Sequence, residues 1–301
     1  MPSRFSTIVP VAGLVAAALG LSACDITIGA SEYSVREQKT FTVNGPVRLA
    51  LSTFDGSIKV RGWDRDEVAV EVEKVGPDQQ TVDRIQVTTS QDGNAITVEV
   101  PKPSPLETSG MRRSPGANLV VTVPVKTAVV ARSGDGSIEV RSVNGNVDLN
   151  TDDGSVRVEE IGGDLVARTG DGSVHGRKVD GRAEIRTGDG SVGLDGVLTG
   201  VTIETRDGSI EVTARPGSRT DTDWDVTTGD GNVQLEVPKG FGAEIDARSG
   251  DGRVRVDTLT DTPEGRGRDE DERSSVAGRL GGGGKALRVR SSSGSISVKL
   301  W

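Results

Sequence analysis

Aromatic residues, cysteine and histidine are all scarce in this 301-residue chain. Aromatics make up 3% of the residues, and there is one cysteine, Cys24, and one histidine, His175. A core built on large rings is therefore not expected, and a single cysteine cannot form an internal disulfide. One histidine and one cysteine also cannot assemble a serine-histidine catalytic arrangement or a histidine-cysteine metal centre.

Basic residues do not cluster along the chain. The formal net charge is -9, and acidic and basic residues are interleaved. Because there is no basic stripe along which a phosphate backbone could lie, nucleic-acid binding is not predicted.

The first 23 residues have the features of an export signal. Arg4 supplies a positive charge, and residues 5–24 carry none and contain the apolar run VPVAGLVAAALGL. The LSAC that follows, residues 21–24, resembles the lipobox of bacterial lipoproteins, in which the segment before the cysteine is removed and the cysteine is lipidated. We expect a signal peptide over residues 1–23 and a lipid anchor at Cys24, with an uncleaved anchor or plain secretion as the alternatives.

The same segment predicts where the mature chain resides. Each alternative places residues 25 onward outside the cytoplasm. A lipid anchor would hold them at the cell membrane, on the periplasmic face in a Gram-negative cell. Residues 24–40 are expected to be a lipid-anchored tether, and residues 41–301 to be the folded domain. The expected partners are the membrane, through the lipid anchor, and an unidentified envelope protein or polymer; no cofactor is predicted.

Glycine, in contrast, is abundant, with 41 residues, many of them in Asp-Gly pairs. The pairs begin at Asp55, Asp92, Asp135, Asp153, Asp171, Asp189, Asp207, Asp230 and Asp251. From Asp135 to Asp207 the interval is 18, with weaker turn signals halfway, at Asn144, Gly162 and Asp180. Between turns, segments such as SIEV and SVRV alternate apolar and polar residues with the period of two that predicts β-strands. No helical period is found after residue 40.

Two all-β architectures fit this repeat. In an antiparallel meander or sandwich, Asp-Gly would form two-residue hairpin turns. In a parallel β-helix or β-solenoid, about 18 residues would make one coil, and each coil would stack the same residue types on the last. The return of Ser137, Ser155 and Ser173 at a constant interval favours the solenoid, since a meander has no reason to restore one residue at a fixed spacing.

Stacked coils would bring the Asp side chains of the Asp-Gly pairs close together. Adjacent coils lie about 4.8 Å apart, so each neighbouring pair of carboxylates would cost about 0.9 kcal/mol in water. An arginine stands three residues before the Asp in four of these turns: Arg132, Arg168, Arg186 and Arg248. These arginines are predicted to pair with the turn carboxylates, which are also expected to hydrogen-bond the turn backbone.

Two stretches interrupt the repeat. Residues 101–118 are rich in Pro, Ser and Gly and are predicted to be a loop. Residues 261–285 mix charge with four consecutive glycines and are predicted to be a flexible insertion. Strand alternation resumes after Leu287, and we expect these last strands to cap one end of the stack, with Trp301 covering it.

Three segments together resemble the DUF4097 family of adhesin-like bacterial envelope proteins. They are FTVNGPVRLALSTFDGSIKVRGWDRDEVAVEV (41–72), the repeated TGDGSV and RSGDG turns, and SSSGSISVKL (291–300). The resemblance implies a right-handed β-helix-like solenoid, an envelope location and no established catalytic residues.

Candidate sites are few. The segment GGDLVARTG does not match the calcium-binding repeat G-G-x-G-x-D-x-U-x, so calcium binding is only an alternative. Asp152 with Asp153, or Asp221, Asp223 and Asp225, could supply an acid and a base to a glycan-processing enzyme. However, Asp occurs in almost every repeat and singles out no pair. We therefore predict a non-catalytic scaffold or binding protein, with a glycan-processing enzyme or a calcium-binding repeat protein as the alternatives.

Two further residues have a site interpretation and a structural one. His175 replaces Glu139, Arg157 and Glu211 of the same 18-residue register, which predicts an exposed strand residue rather than a catalyst. Trp224, in DTDWDV, is predicted to lie in the core or to cover an edge, the alternative being an exposed ring that binds sugar.

Overall fold

The computed structural model describes residues 24–29, 32–103, 115–257 and 274–301. The predicted signal peptide, residues 1–23, lies outside these ranges, and so do parts of the predicted loop and of the predicted flexible insertion. Within the described ranges the single helix is α1 (Gln79–Asp83), and no helix there has the length and apolarity needed to cross a membrane.

One sheet of 23 strands accounts for most of the described residues. The strands up to the middle of the chain are β1 (Cys24–Gly29), β2 (Glu32–Thr42), β3 (Val47–Thr53), β4 (Ile58–Trp63), β5 (Glu67–Gly76), β6 (Thr88–Asp92), β7 (Ala95–Val100), β8 (Gly116–Pro124), β9 (Thr127–Ser133), β10 (Ile138–Val143), β11 (Val147–Thr151) and β12 (Val156–Gly162). Those that follow are β13 (Leu165–Thr169), β14 (Val174–Thr187), β15 (Val192–Thr205), β16 (Ile210–Ala214), β17 (Trp224–Thr228), β18 (Val233–Val237), β19 (Ala243–Ser249), β20 (Val254–Val256), β21 (Ser275–Leu280), β22 (Ala286–Ser291) and β23 (Ile296–Leu300).

Equivalent strands of successive repeats lie side by side and point the same way. Ile138 of β10 lies opposite Val156 of β12, which lies opposite Val174 of β14. On the facing side of the coil, Val147 of β11 lies opposite Leu165 of β13. All five side chains are at most 1% exposed, because alternation with a period of two turns one set of side chains inward. The prediction of an all-β, solenoid-like fold is confirmed.

The order of the coils differs from the order of the chain at both ends. β3 and β4 lie between β7 and β8 on one side and β9 and β10 on the other, so the first coil lies between the second and the third. At the far end, β22 and β23 lie between the coil of β17 and β18 and the coil of β19 and β20. The prediction that the last strands cap the stack is therefore wrong. Trp301 is 46% exposed, and the Arg215 guanidinium lies 5.9 Å from its ring centre.

Antiparallel strands extend the stack beside β8. β5 pairs with β8, β2 pairs with β5, and β1 pairs with β2. The predicted tether is therefore wrong from Tyr33 onward, since residues 33–42 belong to the sheet. Most side chains of this stretch are exposed or half-buried. Its sequence shows little apolar alternation, and the strand is held by backbone hydrogen bonds to β5 together with side-chain contacts such as Arg36 to Glu73 at 2.8 Å.

Three other segments are more ordered than predicted. The end of the predicted loop forms the start of β8, and the part of the predicted insertion from Ser275 forms β21, which pairs antiparallel with β19. The expectation of no helix after residue 40 is wrong, because α1 makes one short turn. Asp78 caps it by accepting a hydrogen bond from the Thr81 backbone N–H at 2.7 Å. Five residues are too few to show a period of 3.6.

A bend in three successive coils uses left-handed backbone without glycine. Ser142, Glu160 and Lys178 have φ values of 56°, 59° and 53° and stand 18 residues apart. Such a conformation costs about 1 kcal/mol or more in an ordinary residue. The side chains offset part of this cost, since Ser142 and Lys178 both donate hydrogen bonds to the Glu160 carboxylate, at 2.9 and 2.7 Å. The Lys178 hydrogen bond is also the main cause of the lowered pKa of Glu160.

At the Asp-Gly turns, successive coils approach too closely for any side chain on the glycine. A Cβ on Gly172 would lie 2.1 Å from the carbonyl oxygen of Gly154, and a Cβ on Gly190 would lie 2.1 Å from that of Gly172. Neither Gly172 nor Gly190 has a positive φ. These glycines are therefore required by the stacking of one turn on the next rather than by the turn conformation itself.

Replacing one stacked glycine should destabilise the whole fold. We expect Gly172→Ala to lower the free energy of unfolding by about 3 kcal/mol or more, because the added methyl group meets rigid backbone and not a flexible side chain. Chemical denaturation monitored by circular dichroism measures this loss. Gly282→Ala is the matched control, since a Cβ there has no atom within 4 Å; equal stability of the two variants would contradict the stacking requirement.

Candidate functional site

A buried hydroxyl group holds each of the stacked Asp-Gly turns. A Thr or Ser stands two residues before the turn Asp, or before its equivalent Ser293, and is buried at every stacked turn: Thr53, Ser133, Thr151, Thr169, Thr187, Thr205, Thr228, Ser249 and Ser291. The Thr169 hydroxyl donates to the Gly154 carbonyl at 2.8 Å and accepts from the Gly172 N–H at 3.3 Å. It therefore closes its own turn and joins it to the preceding coil.

The turn aspartates other than the half-buried Asp55 lie exposed on the surface of the stack, as Asp171 and Asp189 do. The expected bond from a turn carboxylate to its own backbone is made by Asp55, which accepts from the Gly56 N–H, whereas the contact that recurs at the stacked turns is that of the hydroxyl group. The sequence carried the necessary signal, because Thr or Ser recurs at the same offset from each Asp-Gly pair, but sequence reasoning missed it. Burial of a hydroxyl without a partner is unfavourable, so this repeated residue marks a structural turn rather than a ligand site.

The arginines that precede the turns pair mainly with carboxylates on the strands. Arg168 lies 3.0 Å from Glu184 and 3.7 Å from Asp148, Arg186 contacts Glu184, and Arg248 lies 2.9 Å from Asp246. The predicted pairing of these arginines with turn aspartates is therefore wrong. Their side chains leave the outer face of a strand, where the nearest carboxylates belong to neighbouring strand positions.

Arg132 and Arg206 have different surroundings from the arginines above. Arg132 lies beside Ser52 and Asn150 in the sheet, so its lateral neighbours are uncharged. A pairing of the predicted kind is made by Arg206, which donates to the turn residue Asp189 at 3.1 Å. Arg206 belongs to the turn that follows, so the contact joins two stacked turns.

The repulsion expected between stacked carboxylates is present at the first turn. The pKa of Asp55 is raised, chiefly because the carboxyl group is partly buried and then because Asp135 of the next coil stands nearby. The hydrogen bond from the Gly56 backbone and the charge of Lys102 oppose this increase. Ionisation of Asp55 is therefore disfavoured in the folded state. The residue lies at a turn and not in a cleft.

The five aspartates nominated as catalysts do not form an acid-base pair. Arg288 lies 3.1 Å from Asp223 and 3.3 Å from Asp225, and these hydrogen bonds, that of Asp225 first, raise the pKa of Arg288. Asp221 pairs with Arg219 at 2.8 Å. These three carboxylates are therefore neutralised in ion pairs.

The other two nominated aspartates do not lie in an enclosed site, and the calcium alternative gains no support from the described residues. Asp152 and Asp153 are exposed at a turn. Across the part of the chain that the structure describes, no group of three or more His, Cys, Asp or Glu residues is placed to hold a metal ion.

His175 and Trp224 are where the sequence predicts. His175 is exposed on β14. Trp224 is fully buried, and its ring packs edge-on against Phe241 with ring centres 5.0 Å apart. The interpretation of Trp224 as core is confirmed, so it offers no surface for a sugar.

Two shallow grooves on the outer surface are lined by charged side chains. A groove of about 790 Å³ follows the turns and is lined by Asp153, Arg168, Asp171, Arg186 and Arg206 among others. A second, of about 570 Å³, lies on the strand face. We call this second groove the His175 notch and define it by Arg157, His175, Gly193, Glu211 and Thr213.

Comparison with known proteins places the chain in a family. The sequence profile of the Toastrack DUF4097 family matches residues 47–299. The chain belongs to this family. The match begins at the first residue of β3 and ends in β23. The Toastrack DUF4097 region therefore contains every stacked coil, whereas β1 and β2 precede it.

Several solved structures are similar to this Toastrack DUF4097 chain at low identity. A putative cell adhesion protein from Clostridium sporogenes is 12% identical, with 88% of this chain and 99% of that chain covered and a TM-score of 0.30. A putative adhesin from Bacteroides fragilis is 10% identical, with 88% and 97% covered and a TM-score of 0.43. A putative lipid binding protein from Parabacteroides distasonis is 12% identical, with 88% and 96% covered and a TM-score of 0.32. No curated protein matches the sequence significantly.

Neutralising Asp55 should stabilise the protein at neutral pH. Its folded-state pKa is raised, so ionisation disfavours the folded state, and this cost is present above the folded-state pKa and disappears as pH falls below the unfolded value. We expect Asp55→Asn to gain under about 1 kcal/mol at pH 7, because the carboxyl group is only partly buried. Melting temperatures at pH 7 and pH 3 measure this; the gain should vanish at pH 3. Asp171→Asn, at an exposed turn, should gain less, and an equal gain would argue against burial as the cause.

Proposed function

We propose that this protein is a non-catalytic, adhesin-like scaffold of the bacterial cell envelope, held at the outer side of a membrane by a lipid on Cys24. In this proposal the folded chain is a right-handed β-solenoid whose central coils take about 18 residues. It presents its outer faces to an envelope protein or polymer. The family membership and the export-signal features of residues 1–24 support this reading.

The observation that carries the proposal is the pair of long polar columns on the outer surface. One column runs across neighbouring strands through Lys59, Glu139, Arg157, His175, Gly193, Glu211, Gln234 and Ser297. The other runs through Ser52, Arg132, Asn150, Arg168, Arg186, Glu204, Thr227, Arg290 and Arg248. Repeated polar groups at strand spacing suit contact with an extended partner over many coils.

The ion pairs support a binding role over catalysis. General acid-base work on a glycan needs two carboxyl groups whose environments hold one protonated and one ionised. Asp223 and Asp225 share one arginine, and Glu184 has a lowered pKa because of Arg186, assisted by Arg168. These paired carboxylates lie on the surface, where they are available for recognition rather than for proton transfer.

Anchoring depends on one sulfur atom in this proposal. In cells fed an alkyne fatty acid, the wild-type chain should be labelled and should remain with the membrane fraction. Cys24→Ser should lose the label, because the sequence has no second cysteine. Gel fluorescence after coupling the alkyne to a dye measures the label. Labelling of the variant would exclude Cys24 as the lipidated residue.

Envelope binding is tested with the full-length Cys24→Ser chain and envelope fragments stripped of lipid. We expect the chain to sediment with the fragments, less so at high salt because surface charges are screened. Asp171→Asn and Asp189→Asn should sediment like the parent, and an unrelated acidic protein of similar charge should stay in solution. If the chain released soluble saccharide from the fragments, and either Asp171→Asn or Asp189→Asn abolished that release, the protein would be an enzyme. If the parent chain did not sediment with the fragments, the binding role would be rejected.

A further inference from the structure

One position in the outer column of the strand face has no side chain. Gly193 of β15 lies between His175 of β14 and Glu211 of β16. Side chains on either side of it are therefore about two strand spacings, or roughly 9.6 Å, apart. Gly193 forms the floor of the His175 notch. The His175 imidazole lies close to this floor, since a Cβ on Gly193 would be 3.1 Å from His175 Nδ1.

The side of the notch formed by β12 and β14 is rich in unpaired donors. Arg157 lies beside His175 in the column, and both side chains are exposed. Within the described part of the chain, neither side chain makes a hydrogen bond or an ion pair. In the next outward-facing column, Arg141 pairs with Glu139 and lies 3.8 Å from Glu159, and Arg177 lies 2.7 Å from Glu159. Arg157 and His175 are therefore the unoccupied donors. An anion in the notch would therefore meet donors that no protein carboxylate already occupies.

The opposite side of the notch offers hydrogen-bond acceptors. Glu211 and Thr213 of β16 line it, and Asp195 of β15 is held by Arg215 at 2.6 Å. A ligand made only of anionic groups would be repelled by Glu211, across the gap from His175. A ligand with an acid group next to hydroxyl groups fits both sides, because the acid accepts hydrogen bonds and the hydroxyls donate them.

We propose that the His175 notch binds a sugar-acid residue of an envelope polysaccharide. Arg157 and His175 hold the carboxylate, the missing side chain at Gly193 provides the space, and Glu211 and Thr213 accept hydrogen bonds from adjacent hydroxyls. The proposal rests on the envelope-binding function above and names the class of polymer recognised. Because the chain as a whole is acidic, the attraction is local to the notch rather than a long-range effect of net charge.

The single histidine makes the notch directly observable. The full-length chain in detergent contains one imidazole, so its ring protons give one set of NMR signals without residue assignment. Titration with polygalacturonate should shift these signals, and neutral dextran should not. Poly(glycerol phosphate) tests whether the notch recognises a carboxylate or any anionic group. If this phosphate polymer shifted the imidazole signals as strongly as polygalacturonate does, the assignment to a carboxylate would be overturned.

Two substitutions separate the notch from general surface charge. Arg157→Gln should weaken polygalacturonate binding at least about tenfold. Gly193→Thr should do the same while keeping every charge, because its side chain fills the gap and meets only the mobile His175 ring. The control is Arg84→Gln, which removes an exposed arginine at the end of α1, outside both polar columns and the notch, and should bind like the parent. Melting temperatures of all three should match the parent.

Failure of the His175 notch as the binding site can be distinguished from failure of the envelope-binding function. Wild-type binding by both Arg157→Gln and Gly193→Thr, or polymer binding without movement of the imidazole signals, would overturn the notch as the site. Envelope sedimentation would then still stand, and another face would be responsible for it. Loss of sedimentation in the parent chain would instead remove the proposed function itself.

Discussion

The close contact between one Asp-Gly turn and the next is the constraint on which the stack depends. At the stacked turns the glycine, such as Gly172, sits so near the carbonyl of the adjacent turn that no Cβ fits, and a buried hydroxyl bonds to that same turn. These contacts fix the lateral alignment of one coil on its neighbour. Once that alignment is set, inward residues such as Ile138 and Val156 fall opposite each other and the outward residues fall into columns. The core and the surface therefore share one geometric cause.

Much of the central stack follows from the sequence, whereas the ends do not. Alternation with a period of two identifies which side chains are buried, and the regular interval between Asp-Gly pairs indicates which residues become lateral neighbours. Neither pattern says where a strand pairs when its interval is irregular. Leu287, for example, lies beside Trp224 and Ile245, because a strand is placed by available edges as well as by its own pattern. β2, with mostly polar side chains, shows the same limit.

Part of the candidate site could likewise be predicted from the sequence, and part could not. The column containing Arg157, His175 and Gly193 can be read from the repeat alone, and the exposure of His175 was predictable. The partners of the arginines were not, because a long side chain reaches diagonal as well as directly opposite neighbours. Arg168 pairs with Asp148 and Glu184 for this reason. Burial of the turn hydroxyls was also readable in principle, from Thr or Ser at one constant offset.

The interleaved order of the terminal coils limits how such a protein can change in length during evolution. The last two strands lie between coils made by earlier residues, and the first coil lies between the second and the third. A repeat added before β3 or after β23 would adjoin a coil that already has a neighbour on each side, so it could not stack directly on that coil. A repeat duplicated between β9 and β16 would meet the same neighbours as the original. Lengthening by duplication is thus confined to the middle of the chain, and the ends are inherited as fixed units.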